Sequence, residues 1–410
     1  MKRSLRKLVS YLVMVLMGTV LLHGETITAN SVSQTDVQAA INAAQDGDTV
    51  MVPAGTATWT SNVAIPADRN ITVRGAGMDS TVISGTGAFN ISGPCRVSAF
   101  GFVHDTDFIS ASGRGWRIDH CRFTNTGSHC ERGVGCFGQY GENYPRGVID
   151  HCEFINSRVL VIGAQDLVGA PIWAEPLGLG TDNAVFVEDC IFVSTDVFCN
   201  AVDANYGGRY VFRYNTVTDT YIEAHSCNSD GNNRATRSWE IYENIIQAMN
   251  RNVWTPFLMR GGTGVIFNNT VTGSRWSNQT IAMDNDRSCF DSGGCNGSHP
   301  KDGNEEPNGY PCRDQIGRST DAFEYQKDGN WPSQALDPAY IWNNVSDSGP
   351  LTVTETNCTD SRVHLQEGRD YYVGVERPGY RPFTYPHPLV SGSAGEDDEI
   401  SPPSRLRLGD

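Results

Sequence analysis

Tyr210–Thr220 reads YVFRYNTVTDT, and the same pattern returns six more times along the chain. WRIDHCRFTNT (116–126), GVIDHCEFINS (147–157), VFVEDCIFVST (185–195), WEIYENIIQAM (239–249), GVIFNNTVTGS (264–274) and AYIWNNVSDSG (339–349) are the others. In each window apolar residues alternate, a Cys or Asn follows, and another apolar residue comes two positions later. The recurring polar column is Cys121, Cys152, Cys190, Asn215, Asn244, Asn269 and Asn344. Alternation with period two, rich in Val, Ile, Phe and Tyr, marks strands. Most spacings are about 25 to 40 residues, the range of solenoid repeats. One such unit cannot bury its own apolar face, so units must stack. The pattern therefore predicts an all-β fold, a single parallel β-helix domain over 32–390. Its Cys/Asn column predicts an internal ladder, with like side chains stacked at the strand spacing.

A chain of 410 residues with 43 glycines and only 19% charged residues fits one elongated domain. Lys2, Arg3, Arg6 and Lys7 precede an apolar run, Leu8–Leu22, with Gly24 just beyond. That arrangement predicts a secretion signal over 1–24, hence a secreted protein, extracellular or periplasmic. The formal charge is −16, and losing the four leader cations would make it about −20. So acidic a protein is a poor nucleic-acid binder, and a polyanionic substrate would need local cations or a bound metal. No membrane association is expected after signal cleavage, and the chain is expected to be a monomer. The Pro-rich, charged segment 391–410 is expected to be disordered.

Twelve cysteines in an exported chain permit disulfides. The three in the ladder are expected to be buried thiols. Cys130/Cys136 and Cys289/Cys295 bracket Gly-rich loops and are the expected local pairs. No spacing suggests zinc.

Thr35–Pro53 reads TDVQAAINAAQDGDTVMVP. Val37, Ala40, Ile41 and Ala44 fall at helical spacing, with Thr35 or Asp36 as a cap and Gly47 as the stop. A helix here would plug the open end of the coil. Together with the motif Val37-Gln38, Ala40-Ile41, Ala44, Gly47-Asp48-Thr49-Val50, Val52-Pro53 and Gly55, the chain resembles the right-handed parallel β-helix proteins of the pectin-lyase-like superfamily. The resemblance implies the fold. It leaves the chemistry open, because the superfamily holds lyases, hydrolases, epimerases and binding proteins.

Three inserts, 128–145, 165–182 and 284–337, are long enough to wall a groove. Asp370–Leu389, rich in aromatics and proline, reads as a closing segment.

Short strands upstream of the ladder windows carry the candidate chemistry: AVDAN (201–205), YIEAH (221–225), PFLMR (256–260) and IAMDN (281–285). Alternation places Asn205, His225, Arg260 and Asp284 in one outward column, and Asp203, Glu223, Leu258 and Ala282 in a second. Two carboxylates, an imidazole and a guanidinium on one patch suit β-elimination from a polyuronate. The proton at C5 is weakly acidic, so charge building on the neighbouring carboxylate must be neutralised, and a base must reach C5. Arg260 is assigned to neutralisation and His225 to the base; Arg260 itself is the alternative base. Asp203, Glu223 and Asp284 are candidate Ca²⁺ ligands, or the first two orient His225 and Arg260. Asn205, Arg234, Arg237, Arg275, Trp254 and Trp276 are candidate substrate contacts. His104, His120, His129 and His151 are read as structural.

The favoured expectation is a polysaccharide lyase acting on a uronic-acid-containing polysaccharide. The alternatives are a glycoside hydrolase similar to polygalacturonases, with Asp203 and Glu223 as its acid/base pair, and a non-catalytic carbohydrate-binding or surface β-helix protein. The NTD, DD and GHG motifs that such hydrolases carry give no match in DD or GHG within the coil region.

Overall fold

The computed structural model describes residues 24–138, 144–163, 175–226, 234–284, 314–319, 334–355 and 365–391. The leader, the tail, the Cys289/Cys295 pair and most of the inserts 165–182 and 284–337 lie outside them, whereas the expected insert 128–145 is largely described and contains the strand Glu131–Phe137, so that part is a rung of the coil and not a wall.

The chain winds as a parallel β-helix. Each coil lays down one strand in each of three sheets, and the next coil pairs with it in parallel. Thr49–Met51, Gly55–Trp59 and Val63–Ile65 form one coil, and Ile71–Arg74 returns onto Thr49–Met51. Among the described residues the first sheet has 12 strands, the second 11 and the third 10. Pairing among these residues is parallel, except that Val345–Ser346 and Gly349–Pro350 pair antiparallel, as does the isolated bridge Arg318–Leu336. The interior is a column of like residues stacked coil on coil. Phe102, Phe123, Phe154 and Phe192 stack at 5.1, 4.9 and 4.6 Å between centroids. These separations follow the strand spacing.

The ladder is as expected. Asn215, Asn244, Asn269 and Asn344 are buried, and each Nδ2 donates to the next Oδ1 at 3.1, 2.9 and 2.8 Å. Each Oδ1 also accepts the preceding coil's backbone N–H. Cys121, Cys152 and Cys190 continue the column as buried free thiols.

One feature of this corner escapes sequence alternation. The residue before every ladder position is left-handed: His120, His151, Asp189, Tyr214, Glu243, Asn268 and Asn343 have φ between 51° and 58°. A non-glycine residue there costs roughly 1–2 kcal/mol. The ladder hydrogen bonds at the next residue offset that cost. His120 and His151 stack on each other at these corners, and each Nδ1 meets the preceding carboxylate, Asp119 or Asp150. Their structural reading therefore agrees with their surroundings.

Helix α1 (Gln34–Ala43) covers the N-terminal end, with Val37, Ala40 and Ile41 buried. Its cap is Ser33, not Thr35 or Asp36; the Ser33 hydroxyl accepts from Asp36 N–H at 3.2 Å. The helix ends at Ala43, and Gly47 forms the following turn at φ 86°. Cys130 pairs with Cys199, not with Cys136. Cys136 points into the core from the strand Glu131–Phe137, where its neighbours leave it fully buried.

The closing segment does more than cap the end. After Tyr371–Val373 the chain runs back along the outer face of the first sheet. Arg213 donates to the carbonyls of Phe383 and Thr384, and His387 N–H donates to Glu188. The short helix α2 (Pro388–Ser391) ends this strap.

Candidate functional site

The third sheet positions the outward patch. Leu160 pairs with Asp203 and Ile162 with Asn205. Val202 pairs with Ile222, which sets Asp203 beside Glu223. Glu223 pairs with Leu258, and Leu258 with Ala282. His225 N–H donates to Ala204 and Arg260 N–H to Ala224, so Asn205, His225 and Arg260 follow one another on successive coils. The two columns predicted from alternation are thus the ones observed.

Four of the named side chains converge. The Arg260 guanidinium contacts Glu223 Oε1, and its Nη2 lies 2.8 Å from His225 Nδ1. His225 Nδ1 is 3.4 Å from Asp203 Oδ2 and 3.6 Å from Glu223 Oε1. Asp203, Glu223 and His225 each place a ligand atom within 4.8 Å of the others. The side chains of Asp203 and Glu223 are 7% and 5% exposed, against 30% for His225, so the imidazole is the part that a substrate can reach. Arginine carries only donors, so a bond to it uses the Nδ1 lone pair, whereas a bond to Asp203 Oδ2 needs a proton on that nitrogen, and the ring makes one or the other.

Three residues unforeseen in the sequence complete the patch. Arg158 Nη1 lies 3.6 Å from Asp203 Oδ2 and donates to Asn200 Oδ1 at 3.2 Å. Asn200 Nδ2 donates to Glu223 Oε2 at 2.6 Å. The Tyr221 hydroxyl meets Glu223; burial first, then Glu223, pushes its ionisation well above the usual range. Asn200 escapes alternation because a bulge at Ala201 interrupts the register, turning Asn200 outward when strict period two would bury it. Arg158 obeys alternation, but the corner before its strand is the single residue Asn156, so two strands read as one apolar run.

Electrostatically the patch is balanced rather than cationic. Two carboxylates face two guanidiniums. Burial pushes the Asp203 carboxyl up, but the His225 hydrogen bond and charge, with Arg158 and Arg260, outweigh it and hold it below its usual value. Asp203 Oδ1 is buried with no hydrogen-bond partner among the described residues.

Other candidates lie elsewhere. Arg234 and Arg237, expected at the substrate face, are buried. Arg234 makes a two-pronged pair with Asp314 at 2.8 Å, fixing the chain just after the loop that follows His225. Arg237 is fully buried against Glu175 O and Ser319. They fail as surface cations because both flank the first-sheet strand Ser238–Tyr242, on another side of the coil. Trp254 and Trp276 are half-buried in the corners between the second and third sheets, and Trp276 packs against the core. Arg275 is exposed at the same corner. Asp284 is buried and stands outside the three-donor cluster, beyond Arg260 in the column.

No protein-family model matches the chain, and no curated protein matches it. Among solved structures, the chain is similar to a PL6 family polysaccharide lyase, Pedsa3628 from Pseudopedobacter saltans. The TM-score is 0.41 at 12% identity, over 90% of this chain and 89% of that one. It is similar to the PL6 family alginate lyase AlyGC at TM-score 0.39 and 14% identity, over 85% of this chain and 53% of that one. The catalytic domain of a GH87 α-1,3-glucanase in complex with nigerose gives 0.33 and 10%, over 88% and 69%. The coil topology makes the chain a parallel β-helix protein, and its own side chains must argue its chemistry.

Proposed function

We propose that the chain is a secreted polysaccharide lyase that cleaves a uronic-acid-containing polysaccharide by β-elimination on the third sheet. The observation that carries this reading is the 2.8 Å contact between Arg260 Nη2 and His225 Nδ1 on an outward, partly exposed patch. In this resting arrangement Arg260 covers the imidazole lone pair. A substrate carboxylate that takes the guanidinium uncovers it. Neutralisation of the carboxylate and exposure of the base are then one event. Nδ1 removes the C5 proton, the C4–O bond breaks as the double bond forms, and the departing oxygen takes a proton from the imidazolium or from water.

Asp203 and Glu223 hold both groups in place. They also fit a divalent cation: two buried carboxylates converge, and Asp203 Oδ1 is an unspent oxygen donor. Bound there, Ca²⁺ would supply further positive charge beside the substrate carboxylate. Asp284 would not join it. The hydrolase reading is weaker, because a general acid needs a raised carboxyl pKa whereas Asp203 is depressed and Glu223 is paired with Arg260.

The test is ultraviolet absorbance on a panel of polyuronates, with calcium and with chelator. Elimination creates an absorbing conjugated double bond; hydrolysis creates reducing ends without it. Absorbance that rises on one polymer and falls away in His225→Ala is expected. New reducing ends with flat absorbance would sink the lyase reading.

A further inference from the structure

The third sheet carries a second feature that the patch does not use. Its outward column continues toward the N-terminus without a break. Ala64 pairs with Asn90, Asn90 with Ser110, Ser110 with Gly135, and Gly135 with Leu160, which neighbours Asp203. Small side chains at these positions leave a cleft of about 420 Å³ over the strands Val63–Ile65 to Glu131–Phe137.

The cleft is built. Phe137 pairs with Ile162 and so belongs to the same column as Asn205 and His225. Its ring lies across Gly135, where a Cβ would stand only 2.6 Å from the ring carbon Cε2. Only glycine at 135 lets the ring lie down on the sheet. Arg132 sits 5.4 Å from the ring centroid and makes a two-pronged pair with Asp107. Asn62 donates to Asn90 at 3.2 Å, leaving an exposed amide row beside the pair. An aromatic ring, a neutralised Arg–Asp pair and a row of amides are the groups that recognise a sugar: an apolar ring face with hydroxyls at its edge. Because Asp107 balances Arg132, the cleft recognises rings and hydroxyls rather than charge.

We propose that this cleft is a glycan-binding subsite, holding sugar residues of the chain whose cleaved bond lies at His225 and Arg260. The proposal rests on the lyase reading for the identity of the polymer, not for the binding itself. Strand Glu131–Phe137 is two strand spacings, roughly 10 Å, from the strand of Asp203, and Val63–Ile65 is five, roughly 24 Å. The substrate would therefore run along the coil axis toward the N-terminus, and only oligosaccharides longer than the patch would reach the cleft.

The experiment is calorimetric titration of wild type, Phe137→Ala and Asn90→Ala with short and long oligosaccharides from a panel of acidic and neutral glycans, beside the absorbance assay. Asn90 is exposed, so its variant reports on the cleft without touching the core. The expected result is that long chains bind wild type more tightly than short ones. Phe137→Ala should weaken long-chain binding about tenfold, the size of one lost ring contact, and leave unchanged the binding of short chains that do not reach the cleft. Equal affinities of wild type and both variants for long chains would overturn the proposal, as would failure of every glycan to bind. Binding that depends on Phe137 with no rise in absorbance would uphold the cleft and sink the lyase reading alone.

Discussion

Replacing Arg260 by Gln separates what the guanidinium does for the fold from what it does for the reaction. Glu223 is buried, with its Oε1 on Arg260 and its Oε2 held by Asn200 at 2.6 Å. Removing one partner of a buried pair costs about 3–5 kcal/mol when the remaining charge is left alone. Here Asn200 still holds one oxygen, and the Arg260 side chain is 14% exposed. The expected loss is therefore smaller, about 2–3 kcal/mol. Elimination should fall by about 10²–10³ in kcat, the usual effect of removing one group that stabilises developing charge. The double variant Glu223→Gln/Arg260→Gln discriminates, because it leaves no unpaired charge. Urea unfolding should show its stability restored to near wild type, while the absorbance assay stays at the Arg260→Gln level. If activity returns together with stability, or if Arg260→Gln turns over like wild type, the guanidinium is merely a structural partner of Glu223 and the assignment fails.

His104 and His387 should make the fold acid-sensitive. Burial lowers each from 6.5 to about 4. Between those values the unfolded chain binds a proton that the folded chain does not, so stability rises with pH and is lost on acidification from 6.5 to 4. Each shift is worth roughly 3 kcal/mol. Urea midpoints measured across this window should fall, and His104→Leu should flatten the slope; an unchanged slope would remove His104 as a cause. Asn244→Ala deletes three donated and two accepted bonds and strands the buried N–H of Asn215. It should cost about 3 kcal/mol or more. Asn244→Cys should cost less, because cysteine fills the same column elsewhere; equal losses in the two variants would mean that the amide ladder contributes little.

The fold was legible because it is periodic. Seven windows in one register repeat the same physical demand, and tertiary context cannot easily override a signal that every coil restates. The patch was legible for the same reason: Asp203, Glu223, His225 and Arg260 fall at like positions on strands that obey period two. What escaped lies where the period breaks. The Ala201 bulge turns Asn200 over, and the one-residue corner at Asn156 hides the strand of Arg158. Arg234 and Arg237 were misplaced because charge alone suggested exposure, whereas Arg234 finds its partner eighty residues away, at Asp314. Cys130 likewise skips its nearest cysteine for one 69 positions on. Contacts of this kind depend on which corners coincide in space, and local pattern carries no record of that.

The ladder corner has a consequence for how the chain can change length. Consecutive ladder residues joined by hydrogen bonds are separated by 25, 29, 25 and 75 positions. Across those intervals the amide that bridges one coil to the next meets its partner at the same 2.9 to 3.1 Å. The corner thus resets the winding after every circuit, whatever was inserted along the way. Segments grafted between the second-sheet and third-sheet strands, or between the third sheet and the next circuit, should leave the sheet floor in register. New walls could then be exchanged over an unchanged floor and, under the proposed function, the choice of polymer re-engineered without redesigning the patch.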